Sequence, residues 1–549
     1  MKKGIKIFIF LSALYMIAAC AKIDDRQQAE DTISKEDLER HVITLASDEF
    51  MGRQPFTIGE EKTIAYLAEE FKKMGLEPAN NGSYFQDVPM VEITFNPTKK
   101  INLKAKKGNV ELNFIDDFIA STSHVKELVE IKDSELVFAG YGIVAPEFGW
   151  NDYEGLDVKG KTVLVLVNDP GFTTQDPELF RGNSMTYYGR WAYKFEEAAR
   201  QGATGVWVIH NTAAAGYGWQ VLTNTAENKL FIQSEDGNIG NSPLNGWITE
   251  EAFGRLAEKS GYNVDELKKY ALDKDFKAVE LGVKLNMELK NKLKFDITKN
   301  VMAMLPGTDL ADECIVYTAH WDHFGVGPVM NGDSIYNGAV DNGIPVACMM
   351  ETAKAFANLK EKPRRSVLFV AVTAEETGML GSKYYVENAH FPPNKTVANL
   401  NYELFIPMGL MKDVTITGKG QSELDNYVEA AAKEQDRYII EEPFPENGMY
   451  YRSDHFSFAR AGIPSLFIKG WTESREHGTE WAKDQINKYW ATGYHKPGDH
   501  YDTKTADPAG NVEDAKLFFK IGYKLANENV WPNWNPGSEF KAIREASMK

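Results

Sequence analysis

Residues 366–382, SVLFVAVTAEETGMLGS, decide the predicted fold of this 549-residue chain. Residues 366–373 form an apolar, β-branched run of strand length, and the acidic pair Glu375 and Glu376 follows just past its end. Open α/β sheets build their active sites at the carboxyl ends of their strands. One carboxylate at such a position can hold a metal ion while its neighbour transfers protons. The stretch therefore predicts a buried strand that delivers catalytic carboxylates.

A second strand pattern, ECIVYTAHWDHFG, predicts a buried strand over residues 314–319 that ends in His320. Asp322 follows two residues later, which suits a zinc-bound imidazole whose other ring nitrogen is oriented by a carboxylate. The His-x-Asp pattern is weak by itself, and it recurs at His500 in a polar loop. A structural role for His320 is the alternative, but its place at a strand end favours a metal ligand.

Three more candidate ligands follow along the chain. Asp341 lies in a Gly/Asn-rich turn before an apolar helix, where a turn or capping role is the alternative. Glu403 ends the strand pattern TVANLNYELF, and His495 lies in a Gly/Pro loop. Imidazole and carboxylate ligands suit zinc, and three cysteines are too few for a cysteine cage.

Together the candidates supply five ligands and one spare carboxylate, namely His320, Asp341, Glu376, Glu403, His495 and Glu375. This number fits two zinc ions that share a bridging aspartate, one arrangement in which metals activate a water molecule and polarise a carbonyl. The spare carboxylate would serve as the general base that takes the proton of the water. The sequence thus predicts a hydrolase site with two Zn²⁺ ions.

The chain resembles metallopeptidase family 28, the co-catalytic zinc aminopeptidases related to bacterial leucyl aminopeptidase, glutamate carboxypeptidase II and the transferrin receptor. The stretches that carry the resemblance keep the family's order, and they are TAHWDHFG, GDSIYNGAVDN, TAEETGMLGS, ANLNYEL, YYRSDHFSFARAGIPSLFI and GYHKPGDHYD. The resemblance implies an α/β fold in which a mixed sheet is flanked by helices on both faces. It also implies that Asp341 bridges the metals, with His320 and Glu403 completing one zinc site and Glu376 and His495 the other.

The resemblance assigns the remaining roles as well. Glu375 would be the general base, Asp322 would orient the first histidine, and Tyr494 would stabilise the oxyanion. An ordinary packed aromatic is the alternative for Tyr494. The chain departs from the family at Glu403, where most members have Asp, and at Pro345, where they have a small-residue helix start. Proline is tolerated in the first turn of a helix, so Pro345 is interpreted as a variant opening.

The N-terminal sequence MKKGIKIFIFLSALYMIAAC predicts a signal peptide over residues 1–19. Small residues before Cys20 resemble a bacterial lipobox, which would make Cys20 the lipidated first residue of the mature protein. A plain secretory signal is the alternative. Residues 20–33 would then form a polar tether. These features predict a protein of the bacterial cell envelope that is attached to the outer membrane through its lipid, on the periplasmic or the surface face.

Composition excludes some partners. The net charge of −18 argues against nucleic acid, which requires a basic face. The two other cysteines, Cys314 and Cys348, are predicted to be buried and reduced, so no disulfide framework is expected. A chain of 549 residues is expected to form two or more domains. The oligomeric state is not predicted.

Beyond the tether, the sequence predicts a catalytic domain with an insertion. Residues 294–549 would form the main part of the catalytic domain, because strand patterns there alternate with helical ones. Residues 34–96, which include ASDEFMGR, resemble the N-terminal part of the family's catalytic domain. Residues 97–293 are rich in short β patterns with one helix, residues 192–201, and resemble a protease-associated domain. This mostly-β insertion would roof the catalytic cleft or serve only as a packing module.

The combined prediction is an exported zinc exopeptidase that removes residues from the amino end of peptides. A carboxypeptidase, a dipeptidase or a glutaminyl cyclase on the same fold is the alternative, and a cyclase would use a single zinc. A deacylase of N-acyl amino acids has a similar ligand order, but its extra domain normally lies later in the chain. A non-catalytic binding homologue is disfavoured because every ligand position holds a competent side chain. The preferred N-terminal residue of the substrate is not predicted.

Overall fold

The computed structural model describes residues 24–549, so the predicted signal peptide and Cys20 lie outside the described residues. The largest sheet of this part has 15 strands of mixed direction, and helices cover its faces. The predicted α/β class, with a mixed sheet flanked by helices, is confirmed.

The strands of the described chain are β1 (Glu77–Pro78), β2 (Phe85–Pro97), β3 (Lys100–Ala105), β4 (Gly108–Asn113), β5 (Phe118–Ser121), β6 (Leu128–Phe138), β7 (Val144–Ala145), β8 (Trp150–Asn151), β9 (Thr162–Leu166), β10 (Gly205–His210), β11 (Asn228–Ile232), β12 (Leu244–Thr249), β13 (Val279–Leu305), β14 (Leu310–His320), β15 (Gly325–Met330), β16 (Asp333–Tyr336), β17 (Arg365–Val372), β18 (Thr396–Asn401), β19 (Asp413–Ile416), β20 (Tyr438–Glu441) and β21 (Ser465–Lys469).

The α-helices are α1 (Asp25–Glu30), α2 (Lys35–Leu45), α3 (Ile58–Lys73), α4 (Pro170–Thr174), α5 (Trp191–Arg200), α6 (Thr212–Ala215), α7 (Trp219–Thr223), α8 (Glu250–Ser260), α9 (Val264–Tyr270), α10 (Ile344–Ala357), α11 (Leu380–Glu387), α12 (Leu424–Lys433), α13 (His455–Arg460), α14 (Gly478–Thr492), α15 (Ala509–Asn527) and α16 (Lys541–Ser547).

Three parallel strands position the candidate site. β14 lies between β17 and β18 and runs parallel to both. Alternate side chains of β14 face opposite cores, as Tyr317 and Val316 illustrate, so both faces of the strand are buried. Burial on both faces explains why these strands are continuous apolar runs. Because the three strands are parallel, their carboxyl ends meet at one edge of the sheet.

The insertion is joined to the catalytic part by a long antiparallel ribbon. β2 pairs with β13 from Phe85 opposite Val301 to Pro97 opposite Leu289. β13 runs for 27 residues from the insertion into the catalytic sheet. The predicted boundary between residues 293 and 294 therefore falls inside a strand and not in a linker.

The prediction of a single helix in the insertion was wrong. α5 matches that prediction closely, but α8 and α9 follow it, with the short helices α4, α6 and α7 elsewhere in the insertion. α8 and α9 are short and highly charged, so few apolar residues mark their buried faces. Their capping signals were present, since Thr249 caps α8 and Gly261 ends it in the left-handed conformation.

The predicted tether over residues 20–33 also differs from the structure in the part that is described. α1 packs against α10 and α15, and Ala29 and Ile33 are buried in the catalytic core. Lys520 adds an ion pair with Glu30 at 3.0 Å. From Asp25 onward this segment is part of the folded domain, because its two apolar residues dock on the helices.

Two predictions concern thiols and membranes. Cys314 and Cys348 are free and buried, as predicted. Within residues 24–549, no helix combines the length and the apolar character that crossing a membrane requires.

Candidate metal centre

Five predicted ligands converge at the carboxyl edge of the sheet. Nε2 of His320, the last residue of β14, lies 3.2 Å from Oδ1 of Asp341 and 3.5 Å from Oε2 of Glu403. Nε2 of His495 lies 3.4 Å from Oδ2 of Asp341 and 3.3 Å from Oε2 of Glu376. Each carboxylate oxygen of Asp341 thus faces a different histidine, which is the arrangement expected of a shared ligand.

His323 belongs to this cluster, and the sequence analysis missed it. Its Nδ1 lies 2.6 Å from Oε1 of Glu376. The side chains of His323, Asp341 and Glu376 present ligand atoms within 4.8 Å of one another. The only signal in the sequence is its position three residues after His320 in HWDHFG.

Two buried imidazole nitrogens in the cluster make no hydrogen bond within the described residues. Nε2 of His320 and Nε2 of His323 are buried and accept or donate no hydrogen bond within the described chain. Buried polar atoms are nearly always satisfied, so these atoms point to a bound cation. Two groups of side chains could each hold a cation. The first is His320 with Asp341 and Glu403, and the second is His323 with Asp341 and Glu376. Imidazole and carboxylate donors of this kind suit zinc.

The backbone is strained beside the ligands. Ala374, Leu404 and His495 have φ values of 53°, 52° and 54°, in the left-handed region that favours glycine. Ala374 precedes Glu375 and Leu404 follows Glu403, so these turns set the direction in which the carboxylates leave their strands. Strain of this kind persists only where the surrounding structure fixes it, and it clusters at functional sites.

Asp322 is placed differently from its predicted role. Nδ1 of His320 lies 3.1 Å from the backbone oxygen of Asp322, while the nearest carboxylate oxygen is 3.8 Å away. The carboxylate instead accepts the backbone N–H groups of Glu375 and Glu376, at 3.1 and 3.4 Å. Asp322 therefore orients His320 through its carbonyl and holds the acidic pair through its side chain.

Asp499 supports Asp341 in a similar way. Its carboxylate accepts the backbone N–H groups of Val340 and Asp341, at 2.9 and 3.1 Å. The carboxylate is buried, and Oη of Tyr489 lies 3.4 Å from it. Asp499 thus fixes the turn that carries the shared ligand, a role that the loop sequence GYHKPGDH did not reveal.

A chain of buried hydrogen bonds supports Glu403. Oγ1 of Thr318 donates to Oδ1 of Asn401 at 2.6 Å, and Nδ2 of Asn401 donates to Oγ of Ser453 at 2.8 Å. Oγ of Ser453 then donates to Oε2 of Glu403 at 2.9 Å. This chain of hydrogen bonds links the middle of the sheet to Glu403 and fixes the position of its carboxylate.

Charge in the cluster is unbalanced toward the negative. Burial raises the pKa values of Glu375 and Glu376 well above the ordinary value of a glutamate, and neighbouring carboxylates raise both values further. Burial opposes ionisation of Asp341 too, but the imidazoles of His320 and His495 hold its pKa well below its ordinary value. A buried group of carboxylates is costly without cations to balance it, so the electrostatics also favour a metal site.

The cluster opens into a cleft with an internal volume of about 100 Å³. Its walls include Glu375, Arg452, Trp490 and Tyr494. The ring of Tyr494 stacks on that of His495 with centroids 3.7 Å apart. Its hydroxyl has no hydrogen-bond partner among the described residues, so it is free to face a bound ligand. Glu375 and Tyr494, the two predicted catalytic residues, therefore border the same space.

Comparisons with known proteins agree with this geometry. Residues 300–519 match the family model described as Peptidase family M28. The chain is 27% identical over 231 residues to the probable leucine aminopeptidase 2 of Aspergillus fumigatus, a match that covers 40% of this chain and 42% of that one. It is 25% identical over 158 residues to aminopeptidase NAALADL1 of Mus musculus, covering 28% and 19% of the two chains. The chain therefore spans less than half the length of these curated relatives.

A solved structure, the aminopeptidase from Aneurinibacillus sp. strain AM-1, aligns over 92% of this chain and 97% of its own, with 19% sequence identity and a TM-score of 0.47. The family match contains all the candidate metal ligands, from His320 to His495. Over residues 300–519, the chain is therefore similar to peptidase family M28.

Proposed function

We propose that the protein is a zinc-dependent exopeptidase that removes residues from the amino end of peptides. The observation that carries the proposal is the shared position of Asp341, whose two oxygens face His320 and His495, beside the free carboxylate of Glu375. The family match supports a peptidase, and the names of the curated relatives support an aminopeptidase.

The ligand set supports two zinc ions. His320, Asp341 and Glu403 would hold one ion, and Asp341, Glu376 and His495 the other. His323 would either join the second ion or hold Glu376 in place through its 2.6 Å contact. Bound zinc would polarise the scissile carbonyl and lower the pKa of a water molecule.

Glu375 is the proposed general base. It borders the cleft, and burial raises its pKa well above the ordinary value, so it is suited to accept and release a proton. It would take the proton of the attacking water and return it to the leaving amine. Tyr494, which lines the same cleft, would donate a hydrogen bond to the oxyanion.

The insertion is proposed to be a protease-associated domain that restricts access to this cleft. The ring of Tyr217, from the insertion, lies 5.8 Å from the guanidinium of Arg452 in the cleft wall. Arg460 adds an ion pair with Glu196 of the insertion at 2.9 Å. These contacts favour a roof over a remote packing module, and a roof would admit short peptides while excluding folded proteins.

Replacing Glu375 tests the base. Glu375→Gln should keep its zinc content but lower kcat on leucine p-nitroanilide at least about a hundredfold, the usual scale for a general base. His320→Ala should lose zinc as well as activity, because it removes a ligand. Glu429→Gln, an exposed carboxylate on α12, is the matched control and should match the wild type. A Glu375→Gln variant with near wild-type turnover would show that Glu375 is not the general base.

The substrate's amino group tests the aminopeptidase assignment. Carboxylates around the site favour a positively charged ammonium, and acetylation removes that charge and adds bulk. Peptides with a free amine should therefore be hydrolysed far faster than their N-acetylated forms, with cleavage only at the first bond. Equal rates would favour a carboxypeptidase or a deacylase, and formation of pyroglutamate would favour a glutaminyl cyclase.

We also propose that Cys20 carries a lipid that attaches the protein to the bacterial cell envelope, at the outer membrane. The support is the N-terminal sequence alone, with its lysines, apolar run and small residues before Cys20.

A further inference from the structure

Arg452 lies in the wall of the candidate cleft, and two nitrogens of its guanidinium have no hydrogen-bond acceptor among the described residues. It precedes Ser453, the donor to Glu403, and lines the same cleft as Glu375 and Tyr494. Its Nε and Nη2 atoms are buried and make no hydrogen bond within residues 24–549. Arginine is rarely buried without an acceptor, since its N–H groups lose their water when the side chain is enclosed.

A second arginine, Arg190 of the insertion, reinforces this positive charge. Only 9% of Arg190 is exposed, and its guanidinium has no ion pair in the described part of the chain. Burial, together with repulsion from Arg452, lowers the pKa of Arg190 to about 10. The groups that act on both arginines are tyrosines, including Tyr217, and not carboxylates. Neither arginine has a carboxylate partner within the described residues, and two nitrogens of Arg452 are buried without an acceptor, so the arrangement is suited to an incoming anion.

The chemistry of that anion follows from the guanidinium. Its planar fork matches a carboxylate in a bidentate pair, which is stronger and more directional than a neutral hydrogen bond. Glu403 is bound by Ser453 and Glu376 by His323, and no carboxylate of the described residues, Glu375 included, acts on the guanidinium of Arg452. The anion must therefore come with the ligand.

The size of the cleft limits the length of the ligand. An extended peptide advances roughly 3.3–3.6 Å per residue. Arg452 and Glu375 line one cleft with an internal volume of about 100 Å³, which places an anion on Arg452 roughly one or two residues from the bond that Glu375 would act on. A peptide that ends there has its α-carboxylate at that position, whereas a longer chain would have to leave the cleft.

We propose that Arg452, supported by Arg190, binds the C-terminal carboxylate of dipeptides and tripeptides. The inference rests on the proposed peptidase function and narrows its substrate class to short peptides with a free carboxyl end. In such a substrate the amino end faces the metal centre and the carboxylate faces the arginines.

The test compares leucyl-alanine with its C-terminal amide, leucyl-alaninamide. For the wild type, kcat/KM should be at least about tenfold higher for the free acid, the effect of one charge-assisted hydrogen bond in a buried site. In Arg452→Gln the ratio of the two kcat/KM values should fall to near unity, mainly through a higher KM for the acid. Arg190→Gln should lower this ratio less, because Arg452 lines the cleft and Arg190 does not.

Arg364→Gln is the control, since it removes the same charge from an exposed ion pair with Asp309. It should keep both the ratio and the rate. A wild-type enzyme that hydrolyses acid and amide equally, or an Arg452→Gln variant that keeps the wild-type ratio, would overturn the proposal. Zinc content and circular dichroism show whether Arg452→Gln is folded. If it is misfolded, the ratio of the two kcat/KM values in Arg190→Gln tests the proposal instead.

Two further arms separate the remaining outcomes. The first arm compares the α-amide of leucyl-glutamate with the α-amide of leucyl-glutamine. A faster reaction of the glutamate compound would show that the arginines bind an acidic side chain and would overturn the C-terminal assignment. Leucine p-nitroanilide, which has no carboxylate, reports the peptidase function itself. If it is hydrolysed while the acid has no advantage, only the substrate class fails; if no substrate is hydrolysed, both proposals fail.

Binding affinity tests the proposal independently of turnover. The Glu375→Gln protein should bind leucyl-alanine in calorimetry at least tenfold more tightly than leucyl-alaninamide. A second substitution, Arg452→Gln, should remove that difference. Equal affinities before the second substitution would contradict the proposal without reference to turnover.

Discussion

Replacing Arg53 should destabilise the protein from behind the metal centre. Its side chain is 1% exposed, and every nitrogen of the guanidinium donates to a backbone oxygen. The distances are 2.8 Å to Leu45 and Trp321, 2.6 Å to Asn337 and 2.8 Å to Gly338. Arg53 thus ties the N-terminal helices to the segment after β14 and to the turn before the shared aspartate.

The size of the effect follows from these contacts. Arg53→Met keeps the apolar stem but leaves the buried carbonyl oxygens of Leu45, Trp321 and Asn337 without a donor. The carbonyl oxygen of Gly338 still accepts the backbone N–H of Gly343. Each oxygen without a donor costs about 1–3 kcal/mol, so the lower end gives a loss of about 3 kcal/mol in the free energy of unfolding. The change also removes a buried cation that interacts electrostatically with Asp499, Asp341 and Asp322. Zinc affinity should therefore fall about 10- to 100-fold, as it does when groups that orient ligands are lost.

Urea unfolding of the metal-free protein, followed by tryptophan fluorescence, measures the first effect, and competition with a chelator measures the second. Arg364→Met is the matched control, because Arg364 is exposed and should cost at most about 1 kcal/mol. A loss in Arg53→Met no larger than that of the control, or an unchanged zinc affinity, would refute this reasoning.

Three further predictions concern other parts of the chain. Ser453→Ala removes the 2.9 Å hydrogen bond to Glu403 and should lower zinc affinity about tenfold in chelator competition, and an unchanged affinity would contradict the role of the chain. Burial lowers the pKa of His41 to about 4, so the unfolded state takes up its proton first as pH falls below about 6.5. Stability should therefore decline between pH 6.5 and 4, and unfolding curves of His41→Gln should show a shallower decline; an equal slope would exclude His41 as the cause. Cys20→Ser should release the protein from the membrane fraction, and unchanged fractionation with unchanged mass would exclude lipidation.

The sequence could predict the ligands that strands deliver. His320, Glu376 and Glu403 lie at or just past the ends of β14, β17 and β18, and the apolar runs of these strands are visible without a structure. Parallel pairing then brings the strand ends together. Asp341 and His495 come from loops, so their places depended on the resemblance to a family.

The supporting residues could not be predicted in this way. Arg53 contacts carbonyl groups of residues 321, 337 and 338, which lie more than 260 positions away in the chain. Backbone carbonyls have no signature in the sequence, so nothing marks the arginine that binds them. Asp499 is hidden for the same reason, because it accepts backbone N–H groups. His323 differs, since its position near His320 was visible but its contact with Glu376 was not.

The charges around the cleft form a pattern that gives the proposed substrate a direction. Arg53 lies behind the metal centre, where its N–H groups are consumed by carbonyl oxygens and offer nothing to a ligand. Arg452 lies in front, in the cleft wall, where two of its nitrogens have no acceptor. A zwitterionic dipeptide has opposite charges at its two ends, so the carboxylates and Arg452, which line the same cleft, would together orient its only peptide bond toward Glu375. An N-acetylated or amidated peptide loses one of these two contacts, and a peptide with both modifications should be the poorest substrate of the series.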